Sequence, residues 1–203
     1  MHWSASDRAL FRRLSSPARI QAFLDALRYR AEDRAESPLG VIRERRAHCL
    51  DGALFAAAAL RRLGHPPLLV DLRAVRDDDH VLAVYREGGC WGAVAKSNFV
   101  GLRFREPIHR TLRELALTYF DGYFNLRGER TLREYSAPLA LRQFDRRGWE
   151  VDAAVAPAIA ERLDAMPHRS LLRAGQERRL ARVDARTMAG GMVGTLAEGV
   201  HGA

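Results

Sequence analysis

Residues 45–64 read RRAHCLDGALFAAAALRRLG and predict a buried helix with a cysteine in its first turn. Apolar residues cover most of the circumference of a helix over residues 48–63, which is typical of a core element whatever the protein does. Gly64 suits the position just past a helix C-terminus, and the two prolines at 66 and 67 prevent continuation. The informative part of this segment is its start, where Cys49 stands.

A β-hairpin is predicted downstream of the helix. Residues 68–75 form a first strand, and residues 80–86 (HVLAVYR) and 90–95 (CWGAVA) are joined by the turn Glu87-Gly88-Gly89. His80 opens the first arm of this hairpin, and Asn98 lies just beyond the second. A tight turn returns residues 96–98 alongside residues 78–80, so we expect Asn98 to lie beside His80.

A cysteine, a histidine and an asparagine in these places suggest nucleophilic catalysis. A thiol attacks as its thiolate, and a helix N-terminus and a nearby imidazole both lower the pKa of a cysteine. The hypothesis is that Cys49 is the nucleophile, that His80 carries the proton, and that Asn98 orients the imidazole. The backbone N–H of Cys49 would be one oxyanion-hole donor.

Three neighbours are predicted to support this site. Lys96 and Ser97 are neighbours that could orient the His80 imidazole in place of Asn98 or contact substrate. Lys96 is the only lysine of the chain. His48 borders the nucleophile, where it either touches substrate or faces solvent from a loop.

Residues 44–98 resemble the core of the transglutaminase-like superfamily, a circularly permuted relative of the papain fold. The resemblance rests on RAHCLDGALFAAAALRRLG, on DDDHVLAVY and on EGGCWGAVA, in that order. It implies an α+β fold in which a buried helix that begins with the nucleophile packs on an antiparallel sheet. It also implies the roles of Cys49, His80 and Asn98. Relatives usually have aspartate at the third position, whereas papain-like enzymes use asparagine there.

The function that the resemblance implies is acyl transfer or hydrolysis at an amide or peptide bond through a thioester. Bacterial members are more often hydrolases than crosslinking enzymes. The expected substrate is a peptide, a protein or a small amide, and no cofactor or metal is implied. The alternative is a non-catalytic binding or scaffold module with a degenerate site. An arylamine acetyltransferase ranks lower, because RERRAHC lacks the glycines expected before that nucleophile.

Other interpretations of the same residues are weaker. His48, Cys49, His80 and Cys90 contain no C-x-x-C or H-x-x-x-H spacing, which disfavours a zinc site. Cys90 follows a turn with no helix behind it and is interpreted as a packing residue. The acidic run at residues 77–79 matches no calcium loop and is interpreted as a solvated turn.

The rest of the chain is divided into segments that flank this core. Residues 1–40 are predicted to form helices that pack on it, and residues 41–150 to form the transglutaminase-like domain, with a helix at 111–124 and an edge strand within 131–149. Residues 151–173 carry a C-terminal helix. Residues 174–203 are polar and glycine-rich, and we expect a flexible tail.

Charge and hydropathy narrow the class of protein further. The net charge of +8 comes from arginines spread along the chain, without the basic stripe of a nucleic-acid-binding surface. No apolar run approaches the length of a membrane span. The N-terminal residues lack the pattern of a signal peptide, and two cysteines without a pairing pattern suit a reducing compartment. We therefore expect a cytoplasmic protein that binds neither nucleic acid nor membrane.

Overall fold

The computed structural model describes residues 2–32 and 34–196. Helix accounts for 42 % of the structure and strand for 21 %, and the main sheet is antiparallel, which confirms the mixed α+β prediction. The α-helices are α1 (Ala5–Arg13), α2 (Pro17–Asp25), α3 (Pro38–Glu44), α4 (Cys49–Arg62), α5 (Leu112–Leu117), α6 (Ala156–Asp164) and α7 (Ala185–Gly191).

The strands form one large sheet and one short pair. They are β1 (Arg28–Tyr29), β2 (Arg46–Ala47), β3 (Leu68–Ala74), β4 (His80–Glu87), β5 (Cys90–Val94), β6 (Arg105–His109), β7 (Leu132–Ser136), β8 (Leu139–Ala140) and β9 (His168–Ser170). The large sheet runs β6-β5-β4-β3-β7-β9, with β8 also on β3, and β1 pairs with β2 in parallel just before α4. The predicted β4–β5 hairpin is therefore at the centre of the fold.

Helix α4 covers one face of this sheet. Alternate residues of β4, namely Val81, Ala83 and Tyr85, join the same core as the apolar body of α4. The run of alanines at 56–59 is fully buried, and these small side chains allow the helix to lie close to the strands. The prediction of a buried core helix beginning at Cys49 is confirmed.

The opposite face of the sheet is covered by α5 and the chain that follows it. The intervening residues of β4, Leu82 and Val84, pack there with Leu115, Tyr119 and Tyr123. Both faces of β4 are thus buried, because side chains alternate between the faces along a strand.

The terminal helices contribute to the α4 core rather than forming units of their own. Phe11 of α1 and Phe23 of α2 both stack on Phe55 of α4, with ring centroids 5.6 and 4.7 Å apart. Ile159 of α6 is buried in the same cluster, and so is Trp149, which precedes α6. Helices α1, α2 and α6 therefore extend the core that residues 41–150 begin.

Two elements differ from the sequence prediction. Helix α5 ends at Leu117 instead of continuing to 124, since the Thr118 hydroxyl bonds the Leu115 carbonyl and a 3-10 turn follows at Phe120–Gly122. The strand expected at the sheet edge is β7, which lies inside the sheet, because residues 168–170 form the additional strand β9.

The segment after residue 174 also has regular structure, up to Leu196. Asp184 caps helix α7, and the Val183 N–H bonds the Gly128 carbonyl at 2.9 Å. Composition alone does not reveal these contacts. The rest of the predicted flexible tail, residues 197–203, lies outside the described residues.

None of the helices within residues 2–32 and 34–196 combines the length and the apolar character needed to span a bilayer.

Candidate functional site

Cys49 and His80 line one cavity of about 520 Å³ at the end of the sheet where β4 begins. His48 and Ser97 contribute to the same wall, so four of the six residues predicted for the site meet here. Tyr29, Phe99 and Tyr123 supply aromatic surface. Lys96 and Asn98 lie outside this cavity and line a neighbouring one.

Cys49 is the first residue of α4 and is partly exposed. The backbone N–H groups of Val81 and Leu50 both lower the pKa of the thiol. Burial outweighs them and raises the pKa of Cys49 to about 11. The expectation of a lowered cysteine pKa is therefore wrong for this state of the protein, because the sulfur loses more hydration than the helix terminus and the N–H donors replace.

His80 is buried at the start of β4, and its ring lies on the α5 face of the sheet. Nε2 is 2.8 Å from the carbonyl oxygen of Leu102, and the ring centroid is 6.5 Å from that of Tyr119. A carbonyl oxygen only accepts, so Nε2 carries the proton and the lone pair of the neutral ring is on Nδ1. Nδ1 has no hydrogen-bond partner among the described residues, and His80 is one of the residues that line the cavity.

The two groups are neutral in this arrangement. Burial lowers the pKa of His80 to about 4, partly offset by the Leu102 bond and reinforced by the charge of Arg105. Among the described residues, no hydrogen bond or ion pair joins the Cys49 thiol to the His80 ring. Both pKa shifts therefore disfavour a thiolate–imidazolium pair.

Asn98 does not orient His80. The pair Ala83↔Val94 sets the hairpin register, and if this pairing continued three positions further along each arm, Ser97 and not Asn98 would come opposite His80. Strand β5 ends at Val94, and the Asn98 carboxamide bonds the backbone of Leu196 instead. The prediction that Asn98 lies beside His80 was one residue out of register, and the Leu102 carbonyl takes the position on Nε2.

Ser97 and Lys96 have local partners of their own. The Ser97 hydroxyl accepts from the Phe99 N–H at 3.0 Å. The Lys96 ammonium donates to the carbonyls of Leu24 and Leu27, at 2.9 and 2.6 Å, near the end of α2. The Lys96 Cβ also lies 2.2 Å from where a side chain on Gly52 would begin, so a glycine is required there. Lys96 therefore holds α2, α4 and the hairpin together.

The alkaline pH dependence of stability should reveal this buried lysine. Burial lowers the pKa of Lys96 to about 8, against the attraction of Asp25 and with the repulsion of Arg103. An unfolded lysine titrates near pKa 10.4. Between these values the unfolded state binds more protons, so the free energy of unfolding rises with pH. We expect this rise in urea titrations of the wild type relative to Lys96→Met. Equal pH slopes for the two proteins would contradict it.

His48 is the N-cap of α4 and is bound to a buried carboxylate. Its Nδ1 accepts from the N–H groups of Leu50 and Asp51, at 3.1 and 3.4 Å. Asp51, fully buried, accepts from the His48 N–H at 3.2 Å, from the Glu36 N–H at 2.6 Å and from Arg30 Nε at 3.1 Å. This reciprocal capping box positions the residue before Cys49. His48 acts as a cap as well as lining the cavity.

Two structural partners of the site were missed from the sequence. Asp51 stands three residues after His48, which is the capping-box spacing, but histidine is not a usual N-cap residue. The Leu102 carbonyl belongs to the short 3-10 helix Val100–Leu102, whose apolar side chains and glycine carry no chemical signature, so no sequence pattern predicts its role.

One cluster of metal-ligand type lies within the described residues. Ligand oxygens of Asp71, Asp79 and Asp164 are all within 4.8 Å of one another. Asp71 is hydrogen-bonded to His168 Nε2 at 3.0 Å, and Arg73 lies within 4.0 Å of both other carboxylates. The acidic cluster is therefore explained by its contacts with protein side chains.

No model of a known protein family matches this sequence, and no curated protein matches it.

Proposed function

We propose that this protein is a cysteine-dependent acyl-transfer enzyme that acts on amide or ester carbonyls. The observation that carries the proposal is that a cysteine at a helix N-terminus lines the same cavity as a histidine whose Nδ1 has no hydrogen-bond partner among the described residues. The order of the elements also supports the resemblance to transglutaminase-like proteins: a Cys-first helix, then a His-first strand, then its hairpin partner.

The proposed reaction begins from the neutral pair. The Cys49 sulfur attacks the carbonyl carbon while its proton passes to Nδ1 of His80. The imidazolium returns this proton to the departing amine or alcohol, which leaves a thioester on Cys49. Water or a second amine then attacks the thioester, His80 takes the proton from this nucleophile, and the thiol is regenerated.

The backbone around the site has two functions in this scheme. The Leu102 carbonyl holds the Nε2–H and thereby fixes the tautomer in which Nδ1 is the base, the role expected for Asn98. The Val81 and Leu50 N–H groups, both of which lower the pKa of the thiol, stabilise negative charge at the sulfur as the proton leaves. Main-chain groups carry out both functions, so the proposed reaction does not depend on which side chain stands at the third position of the triad.

The second candidate is a non-catalytic module on the same fold. The raised pKa of Cys49 and the engagement of Asn98 with Leu196 favour it. The two candidates differ in whether Cys49 forms a covalent acyl intermediate.

Acylation by p-nitrophenyl acetate, followed by mass spectrometry, distinguishes them. Cys90, at the start of β5, does not line the cavity and serves as an internal control. The proposal predicts that the acetyl group is found on Cys49, that Cys90→Ser leaves the reaction intact, and that Cys49→Ser abolishes it. Acetylation that is confined to Cys90, or equal at both cysteines, would favour the non-catalytic module.

A further inference from the structure

The segment that follows α7 binds beside the candidate site through its backbone. Asn98 Nδ2 donates to the Leu196 carbonyl at 2.9 Å, and Asn98 Oδ1 accepts from the Leu196 N–H at 2.9 Å. The Thr195 hydroxyl donates to the Asn98 carbonyl at 3.2 Å. Asn98 is only 8 % exposed, so its carboxamide is held in place by the surrounding chain.

This pair of bonds recognises a main chain rather than a side chain. One residue that gives its N–H and receives at its C=O makes the same exchange as a hydrogen-bonded pair in an antiparallel sheet. The Asn98 carboxamide, with a donor and an acceptor side by side, takes the place of the partner strand. Any residue except proline satisfies both bonds.

The bound segment is adjacent to the Cys49 cavity. Val193, Gly194 and Leu196 line a second cavity of about 420 Å³, which shares the walls Tyr29, Ser97 and Phe99 with the first. Just before this segment, Gly191 packs on the ring of Phe124, another residue of the Cys49 cavity, and a side chain at 191 would begin 2.4 Å from this ring.

We propose that Asn98 is the backbone-reading residue of a subsite for an extended polypeptide, and that the chain's own Thr195–Leu196 segment occupies it. The proposal rests on the proposed function and narrows its substrate to a peptide or protein. A peptide bound to Asn98 passes Ser97, which lines both cavities, and so enters the cavity of Cys49. The chain's own segment acts as a competing ligand that a substrate displaces.

Nuclear magnetic resonance with ¹⁵N-asparagine tests this directly, since the chain contains only Asn98 and Asn125. The Asn125 carboxamide bonds Glu129 at 3.0 Å and serves as an internal reference. Leu196→Pro removes the N–H that Asn98 accepts. We expect it to shift the side-chain NH₂ signal of Asn98 and to leave that of Asn125 in place.

Two synthetic peptides complete the experiment. Acetyl-GMVGTL-amide, the sequence of residues 191–196, should return the Asn98 signal of Leu196→Pro towards its wild-type position, whereas acetyl-GMVGTP-amide should not. The first peptide should bind the variant about ten-fold more tightly than it binds the wild type, whose subsite is occupied. No binding to the variant, or equal binding of both peptides, would overturn the proposal.

The readout does not involve Cys49. A subsite without catalysis would give the peptide response with no acetylation of Cys49, and a catalyst without this subsite would give the reverse.

Discussion

Replacing His80 by glutamine is expected to slow acetylation of Cys49 at pH 7 by about 10²–10⁴-fold. With a thiol pKa of about 11, only about one molecule in 10⁴ carries the thiolate at this pH. The neutral imidazole normally removes this limit by taking the proton as the bond forms. A glutamine amide can still donate to the Leu102 carbonyl, but it cannot accept the proton. The release of p-nitrophenol measures the rate.

Controls for this variant separate chemistry from folding. His65, which lies outside the cavity after α4 and packs edge-on against Tyr85 at 5.4 Å, provides a matched histidine substitution. His65→Gln should react like the wild type, and circular dichroism should show that His80→Gln is folded. An unchanged acetylation rate in folded His80→Gln would show that His80 takes no part in the reaction.

Replacing Asp51 by alanine is expected to lower the free energy of unfolding by about 3–5 kcal/mol. Asp51 is fully buried and its carboxylate accepts from Arg30, which is itself 2 % exposed. Without Asp51, the guanidinium keeps Glu44, at 2.8 Å, as its one carboxylate partner among the described residues, and the Glu36 and His48 N–H groups lose their acceptor. Chemical denaturation measures the loss.

The matched control is an exposed pair of the same chemistry. Glu32 bonds Arg46 at 2.8 and 2.9 Å from the surface, and Glu32→Ala should leave the denaturation midpoint nearly unchanged. Asp51→Asn, which keeps the shape and one oxygen acceptor, should fall between the two. If Asp51→Ala were no more destabilising than Glu32→Ala, the network would not hold the start of α4.

Regular periodicity made the core predictable. Helix α4 and the β4–β5 hairpin follow from apolar spacing, from a glycine turn and from a glycine–proline stop, all of which act over a few neighbouring residues. The location of Cys49 at a helix start and of His80 at a strand start comes from the same local signals.

The predictions that differ from the structure depend on contacts between residues that are distant in sequence. Asn98 bonds Leu196, 98 residues later, and no local signal predicts this pairing. The pKa of Cys49 differs from the expected lowered value for a related reason: the dipole of α4 is local, whereas the burial that raises this pKa comes from the packed chain around the thiol. The hairpin pairing also ends at Val94, before it reaches Asn98, so Asn98 is not held beside His80 and bonds the segment after α7 instead.

The pH dependence of Cys49 acetylation tests the pairing with His80 most directly. If neutral His80 is the base, the wild-type rate rises as the imidazole loses its proton near its pKa of about 4, and it is then level between about pH 5 and pH 9. His80→Gln should instead climb about ten-fold per pH unit over this range, following the thiolate alone. A wild-type rate that climbs in parallel with the variant would show that Cys49 reacts without His80.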